Sequence, residues 1–264
     1  MKLTLPILIV APLAVLLVSC GGVSQPTPET AAPSALKSSS AAEAALESPG
    51  GGRRERHRGP RGHREGAPNG GNTPGTFDFY VMSLSWSPGF CASPAGGNDN
   101  IQCGGSRQFA FVLHGLWPQF EPKGWPQDCS AEGVEDSIVK GMLDIMPSPR
   151  LIQHEWGKHG TCSGLSAKDY FEEAREAFAA VKIPEKYKAP KRRIMIDPER
   201  MRADFAAANP AFGDQGFAVL CSGNGRFLQE VRACLTKDLK GRACNREVLN
   251  SACRSNEVIM QPLR

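Results

Sequence analysis

Phe77 to Trp86 reads FDFYVMSLSW. Large apolar residues stand at both odd and even positions, so a strand here would bury both faces and lie inside a sheet. Reading outward, RQFAFVLHGLWP (Arg107–Pro118) holds a second strand, from about Phe109 to Leu113. Gly115 and Pro118 stop it, which puts His114 at a strand's end. From Glu132 to Met146, residues Val134, Ile138, Met142 and Ile145 recur at helical spacing and Pro147 closes the run. SAKDYFEEAREAFAAV opens with Ser166 and Asp169 in capping-box positions and continues as an amphipathic helix. DPERMRADF starts another helix, with Asp197 as N-cap and Pro198 in the first turn. GFAVLC and RFLQEVRACLT read as late strands. Strands and helices do not alternate regularly, so the fold class is α+β rather than doubly wound.

The chain has a different character before about residue 76. It begins MKLTLPILIVAPLAVLLVSCGG, one lysine followed by an apolar run of roughly fourteen residues, the length of a signal peptide and short for a membrane span. LVSC (Leu17–Cys20) resembles a bacterial lipobox. In that reading residues 1–19 are removed and Cys20 carries lipid, with Gly21 after it pointing to the outer membrane on the periplasmic side. In the plainer reading the product is soluble in the periplasm or secreted. Residues 20–75 are rich in Ala, Ser, Pro and Gly and then run GGRRERHRGPRGHREG, a composition that buries no core and reads as a tether. Its basic run can contact anionic lipid, nucleic acid or cell-wall polymer, or stay a solvated linker.

Net charge is +4, but the tether takes most of it: residues 76–264 hold 23 Lys+Arg against 22 Asp+Glu. Bulk charge therefore gives no sign of a nucleic-acid binder, and any anion site must be a local cluster. These roughly 190 residues suit one domain. Of 9 cysteines, Cys20 stands apart and the other eight lie at or after Cys91. An even set in an exported chain reads as a disulfide framework, whose pairing spacing alone leaves open.

Histidine usage carries the chemistry. His57 and His63 lie in the tether; the domain's other three sit in two short segments, HGLWPQ (His114–Gln119) and HEWGKHGTC (His154–Cys162). The second segment looks like a zinc-protease signature with one residue too many. His154 and His159 stand five apart, about 140° around a helix, which does not suit joint chelation of one ion. A metal-dependent phosphoesterase is the rival this leaves. Acid–base chemistry fits better. On a helix, His154 pairs with Lys158 and Glu155 with His159. Glu155 would favour imidazolium at His159, and Lys158 with a protonated His154 would add positive charge for a phosphodiester. Two histidines flanking a phosphate can divide one job between them, one taking a proton from a hydroxyl and the other giving one to the leaving oxygen. A 2′-hydroxyl is a nucleophile already beside the phosphorus, which points to RNA and needs no metal. Trp117 offers a stacking face for a base or packs in the core; Trp156 reads as core.

The two segments resemble the active-site motifs of the ribonuclease T2 family. FDFYVMSLSWSPGFC and LQEVRACLTKD resemble its first strand and a late strand, so the resemblance spans roughly residues 76–264. It implies an α+β fold with an antiparallel sheet core, flanking helices and disulfide staples. It implies endonucleolytic cleavage of single-stranded RNA through a 2′,3′-cyclic phosphate, with no cofactor, no metal and no obligate protein partner, the chain acting as a monomer. His114 and His159 match the catalytic histidines, with His159 assigned as base and His114 as acid. Glu155 and Lys158 match residues that support the transition state, His154 a phosphate-binding position, and Trp117 a base-stacking one. The implied bridges are Cys91–Cys103, Cys129–Cys162, Cys221–Cys253 and Cys234–Cys244. Two departures bear on base contacts: Ser85 stands where the family often has glutamine, and Leu151–Gln153 (LIQ) where it usually has aromatic residues. A non-cleaving lipoprotein that binds RNA or envelope polymer on the same scaffold is the alternative function.

Overall fold

In the computed structural model, residues 72–222 and 225–263 are described; Cys20, the leader and the arginine-rich tether lie outside them. The strands are β1 (Phe79–Trp86), β2 (Phe111–Gln119), β3 (Ile194–Ile196), β4 (Phe217–Ser222), β5 (Phe227–Leu235) and β6 (Val258–Met260). They form a mixed sheet in the order β2-β1-β5-β6-β3, with β4 also paired to β5. Every pairing is antiparallel except a short parallel contact of β5 with β6 at Phe227 and Ile259.

β1 is buried on both faces because its two faces meet two different cores. Tyr80, Met82, Leu84 and Trp86 enter the large core under the helices. Phe79 and Val81 enter a smaller one with Ala218, Leu220, Cys234 and Val248. Ser83 and Ser85 continue this second face as polar positions, and Ser83 is fully buried.

β2 runs further than the sequence suggests. Gly115 and Pro118 lie within it, so His114 is not at a strand's end. Proline is tolerated because β2 is the sheet's edge, where an N–H on the outer side has no ladder partner to lose. The register slips at Ser83/Leu84: Ser83 faces Gly115 while Leu84 faces Leu113, leaving His114 as the extra residue of a β-bulge. The bulge lets Leu113 and Leu116 both reach the large core and turns His114 outward. Other elements occupy part of β2's outer edge. Ile145 O accepts from Leu113 N at 2.9 Å, and Leu116 O accepts from the buried Tyr170 hydroxyl at 2.7 Å.

The helices are α1 (Ser87–Cys91), α2 (Asn100–Cys103), α3 (Asp136–Met142), α4 (Pro149–Lys158), α5 (Ala167–Ala180), α6 (Glu185–Lys188), α7 (Pro198–Ala208) and α8 (Arg246–Asn250). Ser166 accepts from Asp169 N at the start of α5, and Asp197 accepts from Glu199 N at the start of α7. The helix expected over Glu132–Met146 is cut to α3. Residues 132–134 instead stay outside helical structure and give their carbonyls to α4: Glu132 O accepts from Trp156 Nε1 at 2.8 Å and Val134 O from Gln153. Domain packing begins before residue 76, since Gly75 N donates to Cys162 O at 2.9 Å.

Four disulfides close the domain: Cys91–Cys103, Cys129–Cys162, Cys221–Cys253 and Cys234–Cys244. The second ties the turn after α4 to the chain leaving β2. Around it Lys158 O accepts from Asp128 N, and Thr161 Oγ1 accepts from Cys129 N.

Candidate active site

α4 lies beside the β2 edge with Ile152 and Trp156 in the large core. This orientation leaves Glu155 buried and His154 exposed. The helix ends at Lys158, and His159 is its C-terminal flanking residue, with φ −120° and ψ −46°. Gly160 follows because any side chain there would run into Trp156 and Tyr170. His159 is thus thrown into the same cavity as His154, Lys158, His114 and Trp117, a space of about 500 Å³.

The expected Glu155–His159 pair does not form. Because the helix stops before His159, Glu155 turns to β2: its Oε2 accepts from Trp117 Nε1 at 2.6 Å, and its Oε1 lies 3.6 Å from His114 Nε2. Gly115 makes room, since a Cβ there would collide with this carboxylate and the indole. Trp117 stands between the two histidines, its ring 5.3 Å from that of His114 and 5.5 Å from that of His159.

The two histidines sit in opposite electrostatic settings. For His114, burial opposes the charge, but the hydrogen bond to Glu230 and the negative charges of Glu155 and Glu230 outweigh it and hold the pKa above the ordinary value. For His159, burial and then Lys158, His154 and His114 push it down to about 3. Its Nδ1 is buried without a partner. His154 is also pushed down, by burial and by Lys158. The imidazolium expected at His159 and the protonated His154 are therefore both corrected: burial and then Lys158 disfavour a proton at each, Asp128 offsets this only in part at His154, and among the described residues no carboxylate forms a salt bridge with either. Burial pushes Glu155 up to about 6.

Sequence reasoning missed a second carboxylate. Glu230, on β5 and 2% exposed, accepts from or pairs with His114 Nδ1 through Oε2 at 3.2 Å. The same oxygen accepts from Ser83 Oγ at 2.5 Å, and Oε1 accepts from Arg232 at 2.7 Å and 3.1 Å. Burial opposes its charge, but these donors take it down to about 2. Arg232 in turn lies 5.0 Å over the Trp117 ring.

A second cavity, of about 340 Å³, meets the first at His114 and is lined by Ser85, Val112, Leu151, Gln102 and Glu230 among others. Trp125, absent from the sequence reading, lines the first cavity with its Nε1 buried and unpartnered. Among the described residues no group of three or more His, Cys, Asp or Glu side chains is placed to hold a metal ion.

The model of the Ribonuclease T2 family matches residues 77–244, which include His114, Trp117, His154, Glu155, Lys158, His159 and Glu230. The chain belongs to the ribonuclease T2 family. It is 39% identical over 179 residues to a ribonuclease of Aeromonas hydrophila, covering 62% of this chain and 74% of that protein. It is 36% identical over 128 residues to a probable ribonuclease of Haemophilus influenzae, covering 44% of this chain and 47% of that one. Among solved structures, RNase NT in complex with 5′-AMP matches with a TM-score of 0.52 at 21% identity, over 71% of this chain and 99% of that one. As a T2-family ribonuclease, the chain carries the α+β architecture of those neighbours with four disulfides.

Proposed function

We propose that this T2-family domain cleaves single-stranded RNA endonucleolytically, with His159 as the base and His114 as the acid. The observation that carries this reading is the contrast between two histidines on one cavity, the pKa of His159 pushed down to about 3 and that of His114 raised by two carboxylates that outweigh its burial. Neutral His159 takes the proton of the 2′-hydroxyl as that oxygen bonds to phosphorus. The P–O5′ bond breaks, and His114 gives its proton to the departing 5′-oxygen. The products are a 2′,3′-cyclic phosphate and a 5′-hydroxyl end; water then opens the ring with the proton roles reversed, leaving a 3′-phosphate.

Lys158 supplies positive charge for the non-bridging oxygens, and Glu155 lines the same cavity. His154, exposed at the cavity rim, is a neutral donor to phosphate in this scheme. Trp117 is braced by its indole hydrogen bond, so a base would meet a ring that cannot swing away. The two cavities that meet at His114 suit the bases on either side of the scissile phosphate; Ser85 and Leu151 both line the smaller one.

The test is digestion of a defined single-stranded RNA by the purified domain in EDTA. Fragments ending in cyclic phosphate support the reading, and intact RNA from acidic to neutral pH would refute it.

We also propose that the exported domain is anchored to the outer membrane through lipid on Cys20. Eight cysteines are consumed in disulfides, which leaves Cys20 as the remaining thiol of the set. Mass spectrometry of the mature N-terminus decides between a diacylglyceryl cysteine and an unmodified secreted end.

A further inference from the structure

Glu230 is not part of either histidine motif, yet it holds the inner nitrogen of His114. β5 brings it there by register: Glu230 faces Ser85 and Arg232 faces Ser83 across the β1 ladder, so both side chains lie on the polar face of the sheet. Its carboxylate is fully engaged. Oε1 takes two N–H groups of Arg232, and Oε2 takes the Ser83 hydroxyl and His114 Nδ1. A buried carboxylate with this many donors stays ionised.

The contacts close a ring around His114. Glu230 joins it to Arg232, Arg232 packs over Trp117, Trp117 donates to Glu155, and Glu155 returns to His114 Nε2. Three elements, β2, β5 and α4, thereby fix one imidazole.

We propose that Glu230 is a positioning residue for His114: clamped by Arg232 and Ser83, it keeps the Nδ1 proton in place and leaves Nε2 as the atom that delivers a proton at the cavity. This rests on the assignment of His114 as the acid. The groups facing His114 are Glu230 and Arg232 from β5, Glu155, His154 and Lys158 from α4, and His159 beyond it. Of these only Glu230 contacts Nδ1. Orienting a catalytic imidazole through a buried carboxylate contributes by fixing its tautomer and by stabilising its charged form.

The experiment compares wild type, Glu230→Gln and Glu230→Asp in two measurements. One is the pH profile of kcat/KM on single-stranded RNA; the other is ¹⁵N NMR of the His114 ring. Glu230→Gln is expected to lower kcat/KM by roughly 10²-fold or more and to move the alkaline limb to lower pH. It should also weaken the preference for the Nδ1–H tautomer, since a glutamine amide can present either an acceptor or a donor to Nδ1. Glu230→Asp keeps the charge and should restore the limb toward its wild-type position. A Glu230→Gln protein that only melts earlier, with the limb and the His114 titration unmoved, overturns the proposal. If the glutamine variant does not fold, wild type alone decides, because a neutral His114 protonated at Nε2 also overturns it. The NMR arm needs no RNA cleavage, so failure of the assigned reaction and failure of the Glu230 role are seen separately.

Discussion

Trp117 donates its indole N–H to Glu155 Oε2 at 2.6 Å, so the ring between His114 and His159 is pinned to α4 as well as to its own strand. The acceptor is 2% exposed and has few other partners. Trp117→Phe keeps an aromatic ring, though a smaller one, and removes the donor. Leaving a buried acceptor unpaired costs about 1–3 kcal/mol. The variant should fold with a lower melting temperature and lose roughly tenfold in kcat/KM; unchanged kinetics would mean the bond does not hold Glu155 for the reaction.

Removal of either histidine should show that they act as a pair. His114→Ala and His159→Ala are each expected to lose about 10²–10⁴-fold in kcat, with the circular dichroism spectrum retained. The double variant should lose little more than the worse single one, since the two proton transfers serve the same displacement at phosphorus. Additive losses in a double-mutant cycle would separate their roles.

Activity should persist on the acid side and fail on the alkaline side. His159, at about 3, keeps its free lone pair well below neutrality. His114, raised above the usual histidine value, stops supplying a proton as pH climbs through its pKa. The expected profile of kcat/KM therefore falls on the alkaline side, as pH passes through the raised pKa of His114. A profile that instead rises there would exchange the two assignments.

Stability should respond to His159 in the other direction. Its folded pKa lies below its unfolded one, so the unfolded chain binds the extra proton as pH drops from about 6.5 toward 3. Folding free energy is lost through that window. Glu155 runs oppositely: its folded value of about 6 lies above the ordinary carboxylate, so its unfavourable burial is relieved as pH falls from 6 to 4.5. Urea unfolding at pH 7.5 and 4.5 should show a smaller drop for His159→Asn than for wild type. Equal drops would exclude His159 as a source of acid sensitivity.

Opening the Cys129–Cys162 bridge, which spans 33 residues, should cost roughly 3–4 kcal/mol of stability. The Cys129→Ser, Cys162→Ser double variant is expected to lose activity at temperatures where it is still folded, because the turn behind His159 loses its clamp. Loss of stability with full activity below the melting point would limit the bridge to a structural role.

The sequence exposed the histidine pair, Glu155 and Lys158, because each sits in a short motif whose residue types announce chemistry. It did not expose how Glu155 is used. Helical spacing pairs it with His159, but α4 ends one residue too soon for that, and the bulge at His114 brings another partner within reach. The bulge arises because Leu113 and Leu116 must both be buried, and that depends on a core built from distant segments. Glu230 was hidden for a similar reason. In RFLQEVRACLT it is one polar residue of an alternating strand, and only the register against β1 shows that it stands with Ser83 and Ser85. Those two serines, on one face of an otherwise apolar strand, were the visible trace of a buried polar site. The disulfide pairing was readable only through family resemblance.

The Cys129–Cys162 staple also ties the bracing of the site to the redox state of its surroundings. Thiols stay reduced in the cytosol, where the producing cell keeps its ribosomes and messages. A chain still inside lacks the covalent brace behind His159 and gains it on crossing to the oxidising side. In an exported chain the brace behind His159 would thus close only after translocation, away from the cell's own RNA.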